Sequence, residues 1–511
     1  MFDVLIRGGR VVDGTGTPWY RADVGIQGGE IGAVGRLEGA TARRVLEVGD
    51  QVVAPGFIDA HLHSDLTLLE GGHCDGSLVQ GVTTHIIGQD GVSYAPLTSE
   101  TRPFLERYFA AINGGVGLAF DWESVDEFLS RFDGASALNV AYLVPHGTVR
   151  AAVMGHVSRA PDPNEIRRMQ LLIERGLEQG AIGVSTGLDY LPCLHAGTDE
   201  LIEIARPAAP GGVFVTHMRD YVDGATAAIE ETLRVGEEAG LPVHISHFNC
   251  KAAMLAEIDR GRDRGIEVTF DGYPYLAGST VLMLVLPRDL HFGTTAQMVE
   301  KLRRPEGKRA LEAWVSSSPY SFEDMVLANL RRPEHQRFVG MNVAEAAELS
   351  GHSRAEFIGE LLIGEEMAVG VVLFQRWRGE EDLIAVTRHP AHMVGSDGIY
   401  VGGRPHPRGW GAFARFLGRY VREQNILTLE EMIRHMTAAP ATRFGLSDRG
   451  LLRPGMAADI TVFDPETVTD TATYEDSRRL AEGVSYVFVN GELAVEDGKI
   501  TGARPGRALR G

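Results

Sequence analysis

The sequence predicts an α/β protein: a (β/α)8 TIM-type barrel, a small β-sandwich domain formed by both chain ends, and a subdomain inserted between barrel strands seven and eight. Three observations predict it. Through the middle of the 511-residue chain, short β-branched runs alternate with amphipathic stretches, the pattern of a parallel sheet covered by helices. Both ends instead carry β runs broken by Gly and Asp turns. Histidines and aspartates recur where the middle strands stop, and a barrel gathers those ends on one face.

The first segment, Phe2-Asp3-Val4-Leu5-Ile6-Arg7-Gly8-Gly9-Arg10-Val11-Val12, reads as a strand, and β character continues through 22–34 and 44–53. At the other end, 458–464 is one strand, and 485–492 runs into an Asn490-Gly491 turn, a strong hairpin signal. Residues 1–55 and 448–511 are therefore expected to form the β-sandwich domain, with the barrel over 56–447. Candidate barrel strands are 56–61, 83–88, 138–144, 181–186, 212–217, 242–247, 266–271 and 391–397. Amphipathic helices are expected over 164–179 and 225–239 between them. The long connection before the eighth strand breaks the rhythm, and its portion 288–354 is read as an inserted lid.

Composition narrows the function. The hydrophobic share of 44% and the charged share of 23% are ordinary for a globular chain. A net charge of −20 repels phosphate backbones, so nucleic acid is not an expected partner. No apolar run reaches the ~20 residues that span a bilayer, so no membrane role is expected. Residues 1–10 read as a strand and not as a signal peptide, and a cytoplasmic location is expected. Cys74, Cys193 and Cys250 are too widely spaced for a disulfide framework or a Cys-x-x-Cys metal pair.

The chemistry gathers at strand ends. His61 and His63 follow the first strand, and side chains two apart on a strand share a face, so two imidazoles are presented together. Gly88-Gln89-Asp90-Gly91 follows the second, Pro145-His146-Gly147 the third and Thr216-His217 the fifth. His244-Ile245-Ser246-His247 lies on the sixth and Gly395-Ser396-Asp397-Gly398 on the eighth. N and O ligands of this kind suit a borderline metal such as zinc, which acidifies water for attack on a carbonyl. A carboxylate must then carry the proton to the leaving nitrogen, and Asp397 is the candidate.

On these motifs the chain resembles the D-aminoacylases, or N-acyl-D-amino-acid deacylases, of the amidohydrolase superfamily. The resemblance runs nearly end to end. It includes Gly9-Arg10-Val11-Val12-Asp13-Gly14, His61-Leu62-His63, Gly81-Val82-Thr83-Thr84, Arg159-Ala160-Pro161 and Ser185-Thr186-Gly187-Leu188-Asp189-Tyr190. It continues through His217-Met218-Arg219, the stretch 273–280, Gly395-Ser396-Asp397-Gly398, Pro405-His406-Pro407-Arg408 and the stretch 450–459. It implies a tight zinc site from His217, His247 and a residue of the strand-two loop, and a second, weaker site from His61 and His63. It implies Asp397 as acid/base, and Arg408, Tyr190 and Ser279 against the substrate, a small N-acylated D-amino acid. A guanidinium at 408 suits a carboxylate, which it binds in bidentate fashion.

Two departures qualify the resemblance. The strand-two loop of the family reads Gly-Asn-Cys-Gly with Cys as ligand, and here Asp90 stands at that position. Asp90 is read as a ligand, terminal or bridging; the alternative places it behind the ligands. Strand four ends Ser185-Thr186-Gly187 without the carboxylated Lys used elsewhere in the superfamily, which argues against the hydantoinase type. His146 and Arg150 sit in a His-Gly-x-x-Arg segment whose role the sequence leaves open between support of the site and packing. Lys251 and Arg288 read as surface residues. The expected function is metal-dependent hydrolysis of the amide of an N-acyl-D-amino acid. Alternatives are an amidohydrolase of a cyclic or other non-standard amide, and a non-catalytic binding or scaffold relative. Side-chain preference, acyl length, one or two metal ions and oligomeric state stay open.

Overall fold

The structure is a computed structural model. It describes residues 1–511 except 73, 116, 210, 288, 289, 292 and 319, and omits the side chain of residue 285. Eight parallel strands form the central sheet: Phe57–Asp59, Val82–Ile87, Asn139–Pro145, Gly183–Gly187, Val213–His217, Val243–Ile245, Val268–Gly272 and His392–Val394. Each of the eight expected strands is present, its ends shifted by at most three residues. The ring closes between first and last strands: Ala60 N–H donates to the Val394 carbonyl at 3.1 Å and Asp397 N–H to the His61 carbonyl at 2.7 Å. Just beyond, Gly398–Ile399 pairs in parallel with Leu62–His63.

Alternation along the strands divides the core in two. Ile58, Ala60, Ile86, Ala141, Leu143, Val213, Val215 and Met393 pack inside the barrel with Phe444 and Leu446. Val140, Tyr142, Val144, Val184, Phe214, Val243, Ile245, Val268 and Phe270 face the surrounding helices. The inner set places His217 inward at the top of its strand, and puts His244, Thr269 and Asp271 inside as well. The covering helices include Pro163–Glu178 and Ala225–Ala239. The first starts on a capping box in which Asp162 accepts from the Glu165 N–H and Glu165 returns the bond, satisfying N–H groups a helix start leaves open.

Both chain ends build one nine-stranded sheet. Its centre is the antiparallel pairing of Ile460–Phe463 with Val52–Pro55, so the last part of the chain docks directly beside the strand that leads into the barrel. Val24, Ile26, Val53, Ile460, Val462 and Phe488 form its separate apolar core. Between barrel strands seven and eight the chain makes a three-stranded antiparallel sheet of Ala277–Val281, Gly370–Phe374 and Met325–Asn329. Helices Thr295–Arg303, Pro305–Ser317, Val343–Ser350 and Arg354–Gly364 accompany it. No described helix is long and apolar enough to cross a membrane.

Candidate metal centre and acid/base site

Six of the expected residues meet at the C-terminal mouth of the barrel. His61, His63, Asp90, His217, His247 and Asp397 are all buried. His63 Nε2 lies 3.4 Å from both Asp90 Oδ2 and Asp397 Oδ1. His61 Nε2 lies 3.7 Å from Asp90 Oδ1 and 3.8 Å from Asp397 Oδ1. His217 Nδ1 is 3.7 Å from Asp90 Oδ2 and 2.9 Å from His247 Nε2. Asp90 therefore stands between the His61/His63 pair and the His217/His247 pair.

The donors fit a metal ion. On the cluster side, Nε2 of His61, Nδ1 of His247 and Oδ1 of Asp90 are buried without a hydrogen-bond partner. Buried polar atoms are ordinarily paired, so orphans converging on one point mark a place for a cation. Two triplets bring one donor atom each within 4.8 Å of one another: His61, His63 and Asp397, and His61, Asp90 and His247. The set is imidazole and carboxylate throughout, the donor chemistry of zinc and its neighbours.

Three members sit on backbone that non-glycine residues avoid: Asp90 at φ +57°, His247 at φ +32° and Asp397 at φ +50°. The Asp90 turn is held by Ser185, whose hydroxyl accepts from the Gly91 N–H and donates to the Gly88 carbonyl. Asp397 is preceded by Ser396, whose N–H and hydroxyl both bond Asp59 at the top of the first strand.

The electrostatics follow from crowding carboxylates and imidazoles. Burial pushes the Asp397 carboxyl up, but the Arg408 guanidinium and His63 outweigh it and bring its pKa down to about 2. Asp90, buried among His61, His217 and His63, is likewise held well below the usual carboxylate range. Burial lowers His63, yet Asp397 and Asp90 raise it to about 9. Asp90 and Asp189 do the same to His217, to about 10. His247, buried beside His217, falls to about 3. The carboxylates thus attract positive charge, which protons or a metal ion can supply.

Of the expected substrate residues, Arg408 lies against Asp397, Ser279 meets Arg408 through its carbonyl and Tyr190 packs on His217. Arg408 opens the helix Arg408–Arg415 and is completely buried. Its Nη1 approaches Asp397 Oδ2 at 2.8 Å. This is an ion pair without hydrogen-bond alignment, and Nε and Nη1 make no hydrogen bond. Nη2 donates to the Ser279 carbonyl at 3.3 Å, and the guanidinium carbon stands 4.7 Å from the centre of the Tyr273 ring. Tyr190 packs against His217, ring centres 4.9 Å apart, and its hydroxyl meets Thr280 Oγ1 at 3.3 Å. Lys251 is exposed. Arg288 lies outside the described residues. His146 and Arg150 join a different buried cluster. His146 meets Cys193 Sγ at 3.4 Å and Glu200 Oε1 at 3.1 Å, and Arg150 Nε donates to Glu200 at 2.8 Å.

Two carboxylates that the sequence reading gave no role stand behind the imidazoles. Asp271 Oδ2 is 3.6 Å from His61 Nδ1, and Asp189 Oδ2 is 3.6 Å from His217 Nε2, each on the nitrogen turned away from the cluster. Asp271 is the penultimate residue of barrel strand seven, next to the strand end where the sequence pattern places chemistry. Asp189 lies within the Ser185–Tyr190 motif itself.

Comparison with known proteins agrees with this geometry. The model of the amidohydrolase family matches residues 45–495. A D-aminoacylase of Alcaligenes xylosoxydans xylosoxydans is 37% identical over 99% of this chain and 97% of its own length. An N-acyl-D-glutamate deacylase of the same organism is 37% identical over 99% and 96%. Among solved structures, a D-aminoacylase with a binuclear metal centre superposes with a TM-score of 0.85 at 36% identity, both chains covered completely. The N-acyl-D-glutamate deacylase of Bordetella bronchiseptica, bound to zinc and a phosphonate inhibitor, gives 0.84 at 35% identity, again over the whole of both chains. The chain thus belongs to the amidohydrolase family, in the group that contains the D-aminoacylases.

Proposed function

We propose that the protein hydrolyses the amide bond of N-acyl-D-amino acids, releasing a carboxylate and a free D-amino acid, with zinc as its metal. The observation that carries the reading is the Arg408–Asp397 contact beside the histidine cluster: a carboxylate-binding cation touches the acid/base of an amide hydrolase. The full-length likeness to deacylases of N-acyl-D-amino acids supports it. His217, His247 and Asp90 would hold one metal ion, and His61 and His63 would serve a second, weaker position, with Asp90 shared between them. Such an ion supplies Lewis acidity, polarising the acyl carbonyl and acidifying a water.

The side chains do the rest. Arg408 takes the α-carboxylate of the substrate through its unspent Nε and Nη1 hydrogens. Asp397 Oδ1 faces His61 and His63, where it receives the proton of the attacking water and passes it to the leaving nitrogen. In the resting protein Arg408 keeps Asp397 ionised. A substrate carboxylate seated on Arg408 removes part of that pull and raises the proton affinity of Asp397 when a proton has to be carried. Two fixed points, the carboxylate at Arg408 and the amide at the cluster, leave the α-carbon one permitted hand. Tyr190 and Ser279 border the same space. We assign residues 1–55 with 448–511 to the β domain, 56–447 to the barrel, and 288–354 to a lid over the mouth.

The test is amine release from matched N-acetyl-D- and N-acetyl-L-amino acids by the zinc-loaded protein. D-substrates only should turn over, and Asp397→Asn should lower kcat by about 10²–10⁴-fold. Turnover of L-substrates, or ring opening of cyclic amides with no linear amide cleaved, would overturn the assignment.

A further inference from the structure

We propose that Asp271 is a positioning residue that sets two imidazoles of the cluster at once, the side chain of His61 and the backbone of His247, and thereby how tightly the protein holds a metal ion. The inference rests on the reading of those histidines as ligands. Asp271 is fully buried at the end of the seventh strand, inside the barrel. Its Oδ2 stands 3.6 Å behind His61 Nδ1. The two atoms are not hydrogen-bonded at that distance, but the charge of the buried carboxylate favours the imidazole proton on Nδ1 and leaves the Nε2 lone pair facing Asp90 and Asp397.

Its other oxygen works on a different strand. Asp271 Oδ1 accepts from the backbone N–H of His247 at 2.9 Å, and the Asp271 carbonyl accepts from Phe248 N–H at 2.7 Å. His247 is the residue at φ +32°, so the strained turn that aims its Nε2 at His217 is fastened to Asp271. Behind Asp271 the chain of bonds continues. His244 Nε2 donates to Asp271 Oδ2 at 2.9 Å, and the Thr269 hydroxyl meets His244 Nδ1 at 2.9 Å. Space for the carboxylate is kept by Gly395: a Cβ there would lie 2.6 Å from Asp271 Oδ1. The Gly395-Ser396-Asp397-Gly398 motif therefore serves Asp271 as well as Asp397.

Asp271→Asn separates positioning from packing. The amide keeps the shape, and its oxygen can still accept from His247 N–H. Its NH2 then faces His61 Nδ1, which must accept, so the His61 proton moves to Nε2 on the cluster side. The experiment is zinc titration of the metal-free wild type and variant against a chromophoric chelator, with thermal melts of both metal-free proteins. We expect zinc affinity about 10–100-fold weaker in Asp271→Asn, with the metal-free melting temperature nearly unchanged. Equal affinities, or a loss confined to the metal-free melt, would overturn the proposal. Should Asp271→Asn not fold, Thr269→Val releases only the far end of the chain of bonds; weaker zinc binding supports the role and unchanged binding rejects it. A wild type that takes up no zinc would reject the ligand assignment itself, an outcome distinct from a wild type and variant that bind alike.

Discussion

Asp90 illustrates how one side chain decides the character of the centre. It stands where relatives in the deacylase group were expected to place a thiolate, and it touches both histidine pairs. Carboxylate oxygen is a harder donor than thiolate sulfur, so Asp90 as a proposed ligand would favour harder metals than a thiolate does. Asp90, with Asp397 beside His63 and with Asp189 beside His217, raises the pKa of those two imidazoles to about 9 and 10. A metal ion must displace those protons, because only a neutral imidazole ligates. Each histidine is protonated below its pKa, so zinc affinity of the metal-free protein should rise with pH through neutrality towards that range and fall on acidification. Calorimetric titration in buffers of different ionisation enthalpy reads the released protons directly. Proton release near zero at neutral pH would contradict the assignment of these histidines.

At the scale of elements, the site depends on how closely three turns approach. Gly187 ends the fourth strand with its Cα hydrogen against the Asp90 carbonyl and the Tyr190 ring. Gly147 leaves the same kind of room beside Gly91 and Cys193. A methyl group at 187 meets backbone, which cannot swing aside as a flexible side chain would. Gly187→Ala should therefore push Asp90 out of line, with a loss in kcat/KM on the order of 10²-fold, the scale expected for a misplacement of about 1 Å. The accompanying cost in stability should be about 1–3 kcal/mol, as for other overpacked sites. Kinetics and a urea melt of the same preparation separate the two effects. A variant with wild-type kinetics would show that the Asp90 turn adapts freely.

The whole molecule is joined through a small buried polar knot. Asp459, just before the central strand of the terminal sheet, pairs with Arg449 and accepts from Asn139 Nδ2 at 3.0 Å and from Asn490 N–H at 2.6 Å. Asn139 begins the third barrel strand, so the knot ties the last part of the chain to the barrel. Asp459 and Arg449 are both buried, and removing one partner leaves the other charge without compensation. Asp459→Ala should destabilise the protein by about 3–5 kcal/mol, read as a lower urea midpoint. Zinc stoichiometry of the protein that remains folded should be unchanged, because the proposed metal ligands lie at the other end of the strands.

The sequence by itself determined the parallel barrel, the β-rich pairing of the two chain ends and six residues that the barrel gathers at its mouth. These signals are local: strand and helix periodicities, Asn490-Gly491 as a turn, and His61, His63, His217, His247, Asp90 and Asp397 each a few residues from a recognisable strand end. Tertiary structure alone decided the partners. Asp271 serves His61 because the ring closes and brings the seventh strand within reach of the first, and Asp189 serves His217 because strands four and five are neighbours. Arg408 lies on Asp397 because a helix start is folded against the mouth of the barrel. His146 and Arg150 show the converse: a motif legible in sequence was led by its neighbours into a separate charge cluster with Glu200. Periodicity records which way a side chain points along its own strand. Which charge it meets depends on strands far away in the chain, and only the closed barrel brings them within a few ångströms.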